Sequence, residues 1–278
     1  MNSMQIKDKL RNISNRENID FNIVLRNYMY ERFIERLANS KYKNNFIFKG
    51  GYLLSIVLGL NNRQTIDIDL SLKNEILTKD NIYKIICEII NIDVGDIAVL
   101  IVDDISEIRD DDEYGGYRVK ITVKIENIRE TFNIDIATGD IITPKEIIFN
   151  YKTMFDYRFI KLKSYNFETI VSEKIETILS KLEFNSRMKD YYDIYLIYNL
   201  AKKELDLKVL KNAIENTFKK RNFYGDIDKL FQILKDSDIL RKRWKSYIKY
   251  NKYIENIDYD EIIDCLEKII DGIKFVEI

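Results

Sequence analysis

Histidine is absent from the 278-residue chain. That removes Ser-His-Asp and Cys-His catalysis, histidine-centred nucleases and phosphohydrolases, and histidine-ligated zinc or iron. The two cysteines, Cys87 and Cys265, are far apart and neither sits in a CxxC pair, which argues against a thiolate metal site and a disulfide framework. One proline and nine glycines leave little room for linkers or low-complexity tracts. No apolar run reaches the ~18 residues of a transmembrane helix. The opening MNSMQIKDKLRN carries no apolar leader segment. The chain therefore reads as a cytoplasmic, reduced, soluble protein with no membrane contact. Neither charge sign dominates, with 45 Lys+Arg against 46 Asp+Glu. The chemistry left is that of carboxylates, lysines, hydroxyls and hard metal ions. A hydrophobic fraction of 46% suffices for a sizeable core, in one large domain or two small ones.

Periodicity divides the chain. Helical spacing of Phe21, Val24, Leu25, Tyr28, Phe33, Ile34 and Leu37 predicts a helix over 18–40, and a second is predicted over 79–90. A short strand over 45–48 stops at Lys49-Gly50-Gly51, and a helix over 52–58 closes at Gly59. Strict alternation over 65–72 puts Ile66, Ile68 and Leu70 on one face and Asp67, Asp69 and Ser71 on the other. A strand is expected over 99–102. The acid-rich stretch 103–113 is expected to be a solvated loop. Segments 117–125 and 130–137 alternate and read as a hairpin around 126–129. Pro144 is expected to end the strand-rich half. Six helices are then predicted, over 168–182, 187–203, 208–220, 227–234, 238–253 and 259–270. The expected architecture is an α/β (α+β) half over 1–150 followed by an all-α half over 151–278.

The informative segment is FIFKGGYLLSIVLGLNNRQTIDIDLSL, beginning at Phe46. Its Gly-Gly turn lies between a strand and a helix N-terminus, where backbone N–H groups and the helix dipole favour an anion such as a triphosphate. Asp67 and Asp69 share a strand face about 7 Å apart. Carboxylates so placed suit hard divalent cations and phosphoryl transfer. Singly, each piece reads equally as an ordinary turn or a solvated strand face.

Joined in this order, they resemble the signature of the DNA polymerase β-like nucleotidyltransferases. That resemblance implies a mixed or antiparallel sheet core and a third metal carboxylate, for which Asp135 in FNIDI is the match, with an ordinary edge-facing acid as the alternative. KGGYLLSIVLGLNNRQTIDIDL further resembles the first motif of the AbiEii/AbiGii toxins of type IV toxin–antitoxin and abortive-infection systems. ETIVSEKIETILSKL matches that family's lysine motif at Lys174, and RMKDYYD its late acidic motif at Asp190, with Asp193 behind it. Trp244-Lys245-Ser246-Tyr247 resembles the family's ending. The likeness spans about residues 20–265.

The resemblance implies Mg²⁺, or Mn²⁺, on Asp67, Asp69 and Asp135, and NTP phosphates on Gly50 and Gly51. It implies an acceptor hydroxyl, in relatives the tRNA 3′ end, and a cognate antitoxin, often a DNA-binding repressor. Protein-hydroxyl nucleotidylation and a silent nucleotide-binding or partner-binding module are the rival readings. Lys174 would neutralise triphosphate or leaving pyrophosphate, or be a helix-surface lysine. Asp190 would accept the acceptor's proton, orient Lys174, or merely favour its helix dipole. Tyr52 stands where many members carry Thr or Ser, which leaves the backbone N–H groups, or Ser55, to bind phosphate. Arg63 either touches phosphate or braces the loop, and Lys49 is expected to be structural. Residues 201–252 hold fifteen Lys+Arg and seven Asp+Glu. The interleaved basic and aromatic residues at 241–253 suit a nucleic-acid backbone, or else an amphipathic helix with aromatics in the core.

Overall fold

The structure is a computed structural model that describes residues 1–108, 115–254 and 257–274. The chain forms two compact units: Met1–Asp140 with Ile147–Ser164, and Ile141–Glu146 with the chain from Tyr165 onward. The expected boundary near residue 150 is therefore corrected. Two strands follow Pro144, and a short segment before them belongs to the second unit.

The first unit begins with α1 (Ser3–Glu17), a helix that the apolar spacing does not predict. Asn2 and Gln5 form a reciprocal capping box at its start. α2 (Phe21–Asn39) is capped by Asp20, whose side chain accepts the Asn22 N–H. β1 (Phe46–Lys49) leads directly into α3 (Gly50–Leu58), then β2 (Asp67–Leu72) and α4 (Lys79–Ile90) follow. β3 (Val99–Ile108), β4 (Gly116–Ile125) and β5 (Ile128–Ala137) form a meander, and β6 (Ile147–Lys152) and β7 (Phe159–Ser164) form a further hairpin. The seven strands make one mixed sheet in the order β3-β4-β5-β2-β1-β7-β6. β2 runs parallel to β5 and β1 parallel to β7, while the other pairs are antiparallel.

Four local expectations change. Asp103 to Ile108 continue β3 past a register shift after Val102, because backbone pairing with β4 outweighs the local acidity. Residues 109–113 of the expected acidic loop lie outside the described residues. Ile66 precedes β2 and is 64% exposed, and Ser71 is buried against the neighbouring strand, so the strict alternation holds only from Asp67 to Leu70. The β4–β5 turn is the two residues Glu126-Asn127, with Glu126 in the left-handed region. β6 was illegible because it is an edge strand whose adjacent Ile147 and Ile148 both remain exposed, which erases the period-2 signal.

One apolar core joins α1, α2 and α4 to the sheet, through residues such as Leu10, Phe33, Ile86, Ile121 and Ile134. α2 also buries four charged residues, Glu31, Arg32, Glu35 and Arg36. Arg36 reaches Asp96 at 2.7 Å and 3.0 Å, and Glu31 accepts the Tyr151 hydroxyl at 3.0 Å and the Met154 N–H at 2.7 Å. Buried charges persist only when partnered in this way.

The second unit is helical: α5 (Phe167–Lys181), α6 (Met188–Leu200), α7 (Leu207–Lys220), α8 (Ile227–Asp236), α9 (Asp238–Tyr250) and α10 (Tyr259–Lys274). Asn166, Asp206, Asp226 and Ser237 cap α5, α7, α8 and α9 through their side chains. No helix among the described residues is long and apolar enough to cross a membrane.

Candidate active site

In the first unit, β1, β2 and β5 lie side by side, and their register sets the site. Lys49 stands opposite Asp69, and Asp69 opposite Asp135. Directly paired residues point to the same face of a sheet. Asp67 lies two residues from Asp69 on that face and accepts the Asn133 side-chain amide at 3.1 Å. All three carboxylates are half-buried.

The Gly-Gly turn is fitted to Asp69. No side chain of the preceding Lys49 caps α3. The Asp69 carboxylate does so from the neighbouring strand, accepting the Gly51 N–H at 3.1 Å. Gly50 has φ +61°, and a Cβ there would stand 2.2 Å from Asp69 Oδ2. Any side chain would push Asp69 away, so both the backbone angle and the space demand glycine. A Cβ on Gly51 would meet Arg63 Nη2 at 3.0 Å and Thr65 Oγ1 at 3.2 Å. Arg63 is buried and donates to the Gln64 carbonyl. That contact lies within the loop between α3 and β2. Lys49 ion-pairs with Asp140 at 2.8 Å, also a structural contact.

Of the two phosphate-binding alternatives, the backbone N–H groups and the Ser55 hydroxyl, the structure encloses the second. The Tyr52 side chain is fully buried in an edge-to-face contact with Tyr30, at 5.2 Å between centroids. Only its backbone remains as a phosphate-binding element. Ser55 is fully buried too, and its hydroxyl donates to the Tyr52 carbonyl at 2.7 Å. Both lie on the face of α3 that packs against the core.

Asp135 is clamped by Arg118 of β4 in a two-pronged pair, at 2.8 Å and 2.7 Å. Among the described residues, no three acidic, cysteine or histidine side chains converge on a common metal position. The donor set is nevertheless all oxygen, and Mg²⁺ is commonly held by one or two carboxylates together with substrate phosphates. The Asp67–Asp69 pair beside the Gly-Gly turn fits that open kind of site. Sequence reasoning missed Arg118 and Asn133, whose positions follow from strand register.

In the second unit, Lys174 of α5 donates to Asp190 Oδ1 at 2.8 Å and to Asp193 Oδ2 at 2.7 Å, both on α6. Arg187 adds an ion pair to Asp190 at 2.9 Å. All three members of the lysine network are buried. Burial alone would lower the Lys174 pKa, but the two aspartates raise it above the ordinary value. Burial would raise Asp190, and the lysine charge instead holds it below the usual carboxylate range. The helix-surface alternative for Lys174 is thus corrected, because its side chain is buried and its charge is paired with two aspartates. Asp190 accepts a hydrogen bond from Lys174 and is itself fully buried.

On α9, Trp244 is buried and donates its indole N–H to the Ile257 carbonyl at 2.8 Å, while Lys242, Lys245 and Lys249 are exposed. The amphipathic reading of that helix is the observed one. Tyr191 and Tyr192 of α6 are likewise core residues.

The profile of the nucleotidyl transferase AbiEii toxins, of type IV toxin–antitoxin systems, matches residues 32–265. The chain belongs to this family. As an AbiEii-family member it is a toxin-type nucleotidyltransferase, with a nucleotide as substrate and an antitoxin as partner. Two crystal structures from Helicobacter pylori share its fold. One is a proposed nucleotidyltransferase, at TM-score 0.52 and 15% identity, covering 94% of this chain and 100% of the other. The second is JHP933, at TM-score 0.50 and 15% identity, covering 91% of this chain and 94% of the other. No curated protein matches the chain.

Proposed function

We propose that this AbiEii-family enzyme moves NMP from an NTP to an acceptor hydroxyl, that the acceptor is the 3′ end of tRNA, and that growth stops because the modified tRNA is not aminoacylated. The observation that carries the reading is the Asp69 contact with the Gly51 N–H, with Asp67 on the same face. It joins a carboxylate pair on one face of β2 to a phosphate-type turn.

In the proposed reaction the acceptor oxygen attacks the α-phosphorus. The new O–P bond forms, the bond to the β-phosphate bridging oxygen breaks, pyrophosphate leaves, and the hydroxyl proton passes to solvent. Asp67 and Asp69 would hold Mg²⁺ or Mn²⁺, with Asp135 in register beside them. Bound there, the cation would offset charge on the phosphates and leaving group. The turn at Gly50 and Gly51 offers the phosphates the positive end of α3, and the Gly51 N–H reaches them once it leaves Asp69. Arg63 holds that turn in place. Lys174, Asp190 and Asp193 fix α5 against α6 as positioning residues. Exposed Lys242, Lys245 and Lys249 of α9 supply charge suited to a phosphodiester backbone, a contact that would depend on salt rather than base sequence. The antitoxin, in the family often a DNA-binding repressor, would neutralise the enzyme.

The test uses purified protein, total tRNA, Mg²⁺ and each α-labelled NTP in turn, beside Asp69→Ala. Label on tRNA with the wild type alone is the expected result, and it identifies the base as well. Label appearing only on protein would replace the acceptor with a protein hydroxyl. No label anywhere, from folded protein that still arrests growth, would overturn the transfer reading.

A further inference from the structure

Four charged residues form a cross-strand row on one face of the sheet: Lys49 on β1, Asp69 on β2, Asp135 on β5 and Arg118 on β4. Each makes a specific contact. Lys49 turns to Asp140, Asp69 takes the Gly51 N–H, and Arg118 grips both oxygens of Asp135. Asp67, one pleat along, takes the Asn133 amide. Three carboxylates gathered on one face repel one another unless a positive charge is near. Lys49 and Arg118, at the two ends of the row, supply that charge, and Arg118 is the one that grips Asp135 with two hydrogen bonds.

We propose that Arg118 is the resting counter-ion of this carboxylate row, occupying Asp135 until a divalent cation displaces it. The inference rests on the reading of Asp67 and Asp69 as a cation pair. A planar two-pronged grip aligns Asp135 in the Asp69 row, which a single-point contact would not do. It also competes with the cation for the same oxygens. Apparent cation affinity falls by the fraction of molecules in which the row is already occupied. Displacement leaves a free guanidinium at the β4 end of the row, with the fork geometry that suits phosphate. Arg118 is thus a positioning residue that links cation arrival to the release of a positive group.

The test measures Mn²⁺ binding to the full chain by electron paramagnetic resonance, without nucleotide. Arg118→Gln, Arg118→Lys and Asp69→Asn are compared with the wild type, and thermal denaturation checks folding. Arg118→Gln should bind Mn²⁺ about fivefold more tightly, equivalent to about 1 kcal/mol. Arg118→Lys, which keeps the charge but loses the fork, should tighten binding about twofold and serves if the glutamine variant does not fold. Mn²⁺ should also restore the melting temperature that Arg118→Gln loses. Unchanged or weaker binding in the Arg118 variants overturns the counter-ion role. If Asp69→Asn abolishes binding in that case, the cation pair survives and only Arg118 is misread. If Asp69→Asn binds as the wild type does, the cation pair fails as well.

Discussion

Two clusters of aspartate and a basic residue occupy this protein, and burial separates their work. In the sheet unit, Asp67, Asp69 and Asp135 are half-buried and meet a backbone N–H, an amide and a guanidinium that is 43% exposed. In the helical unit, Asp190 and Asp193 are fully enclosed around Lys174. The sheet cluster can exchange its partners for a cation and phosphates. The helical cluster cannot exchange them cheaply, because a buried charge without its partner is strongly disfavoured. Similar residue types thus stand open to solvent in one unit and are locked in fixed geometry in the other.

The sharpest way to break the comparison is to remove one member from each cluster. Lys174→Ala takes the buried cation from Asp193 and leaves Asp190 with Arg187 alone, and should lower stability by about 3–5 kcal/mol in chemical denaturation. Asp69→Ala removes one cap on the Gly51 N–H and should lower it by only about 1 kcal/mol, while transfer activity falls by about a thousandfold, several kcal/mol of barrier. Equal destabilisation by the two would erase the distinction. Gly50→Ala comes next. Its φ and the Asp69 approach predict a loss of about 1–2 kcal/mol and a fall in activity that Gly59→Ala, away from the carboxylates, does not share.

Acid sharpens the contrast further. The Asp190 pKa is depressed by Lys174, so its contribution is present above the ordinary value of 3.8 and is lost as pH falls through the lower folded value. Denaturation midpoints measured from pH 5 downward should therefore fall less steeply in Asp190→Asn than in the wild type. The smallest effect is expected on α9. Replacing Lys242, Lys245 and Lys249 together with glutamine should change stability by under about 0.5 kcal/mol. The same change should reduce the salt dependence of tRNA binding, with the logarithmic slope shallower by about 0.7–0.9 for each phosphate that is no longer neutralised.

The sheet site was legible because its signals are local. Gly50-Gly51 marks a turn, and alternation from Asp67 to Leu70 assigns a face without knowledge of any neighbour. Arg118 and Asn133 were not legible, since nothing near them in the chain names Asp135 or Asp67. Only the registers of β4 with β5 and of β5 with β2 bring them together. The burial of Ser55 was not legible for the same reason. Its place one turn after the glycines made it a candidate for phosphate, and the packing of α3 turned it inward with Tyr52. α2 conceals its role in another way. Its buried Glu31, Arg32, Glu35 and Arg36 look like a solvated stripe until Asp96, Tyr151 and Met154 arrive from distant positions.

The sequence by itself determined the class of chemistry. It has no histidine and no cysteine cluster, and it places a Gly-Gly turn sixteen residues before a same-face aspartate pair. These are properties of residue type and short spacing, which local backbone geometry carries. Only the tertiary structure decided which charges face solvent and which are enclosed. It extended the sheet unit to Ser164, turned Tyr52 and Ser55 inward, closed Lys174 between Asp190 and Asp193, and set Arg118 on Asp135. The reason is that desolvation and pairing depend on neighbours brought from far along the chain, and periodicity carries no record of them.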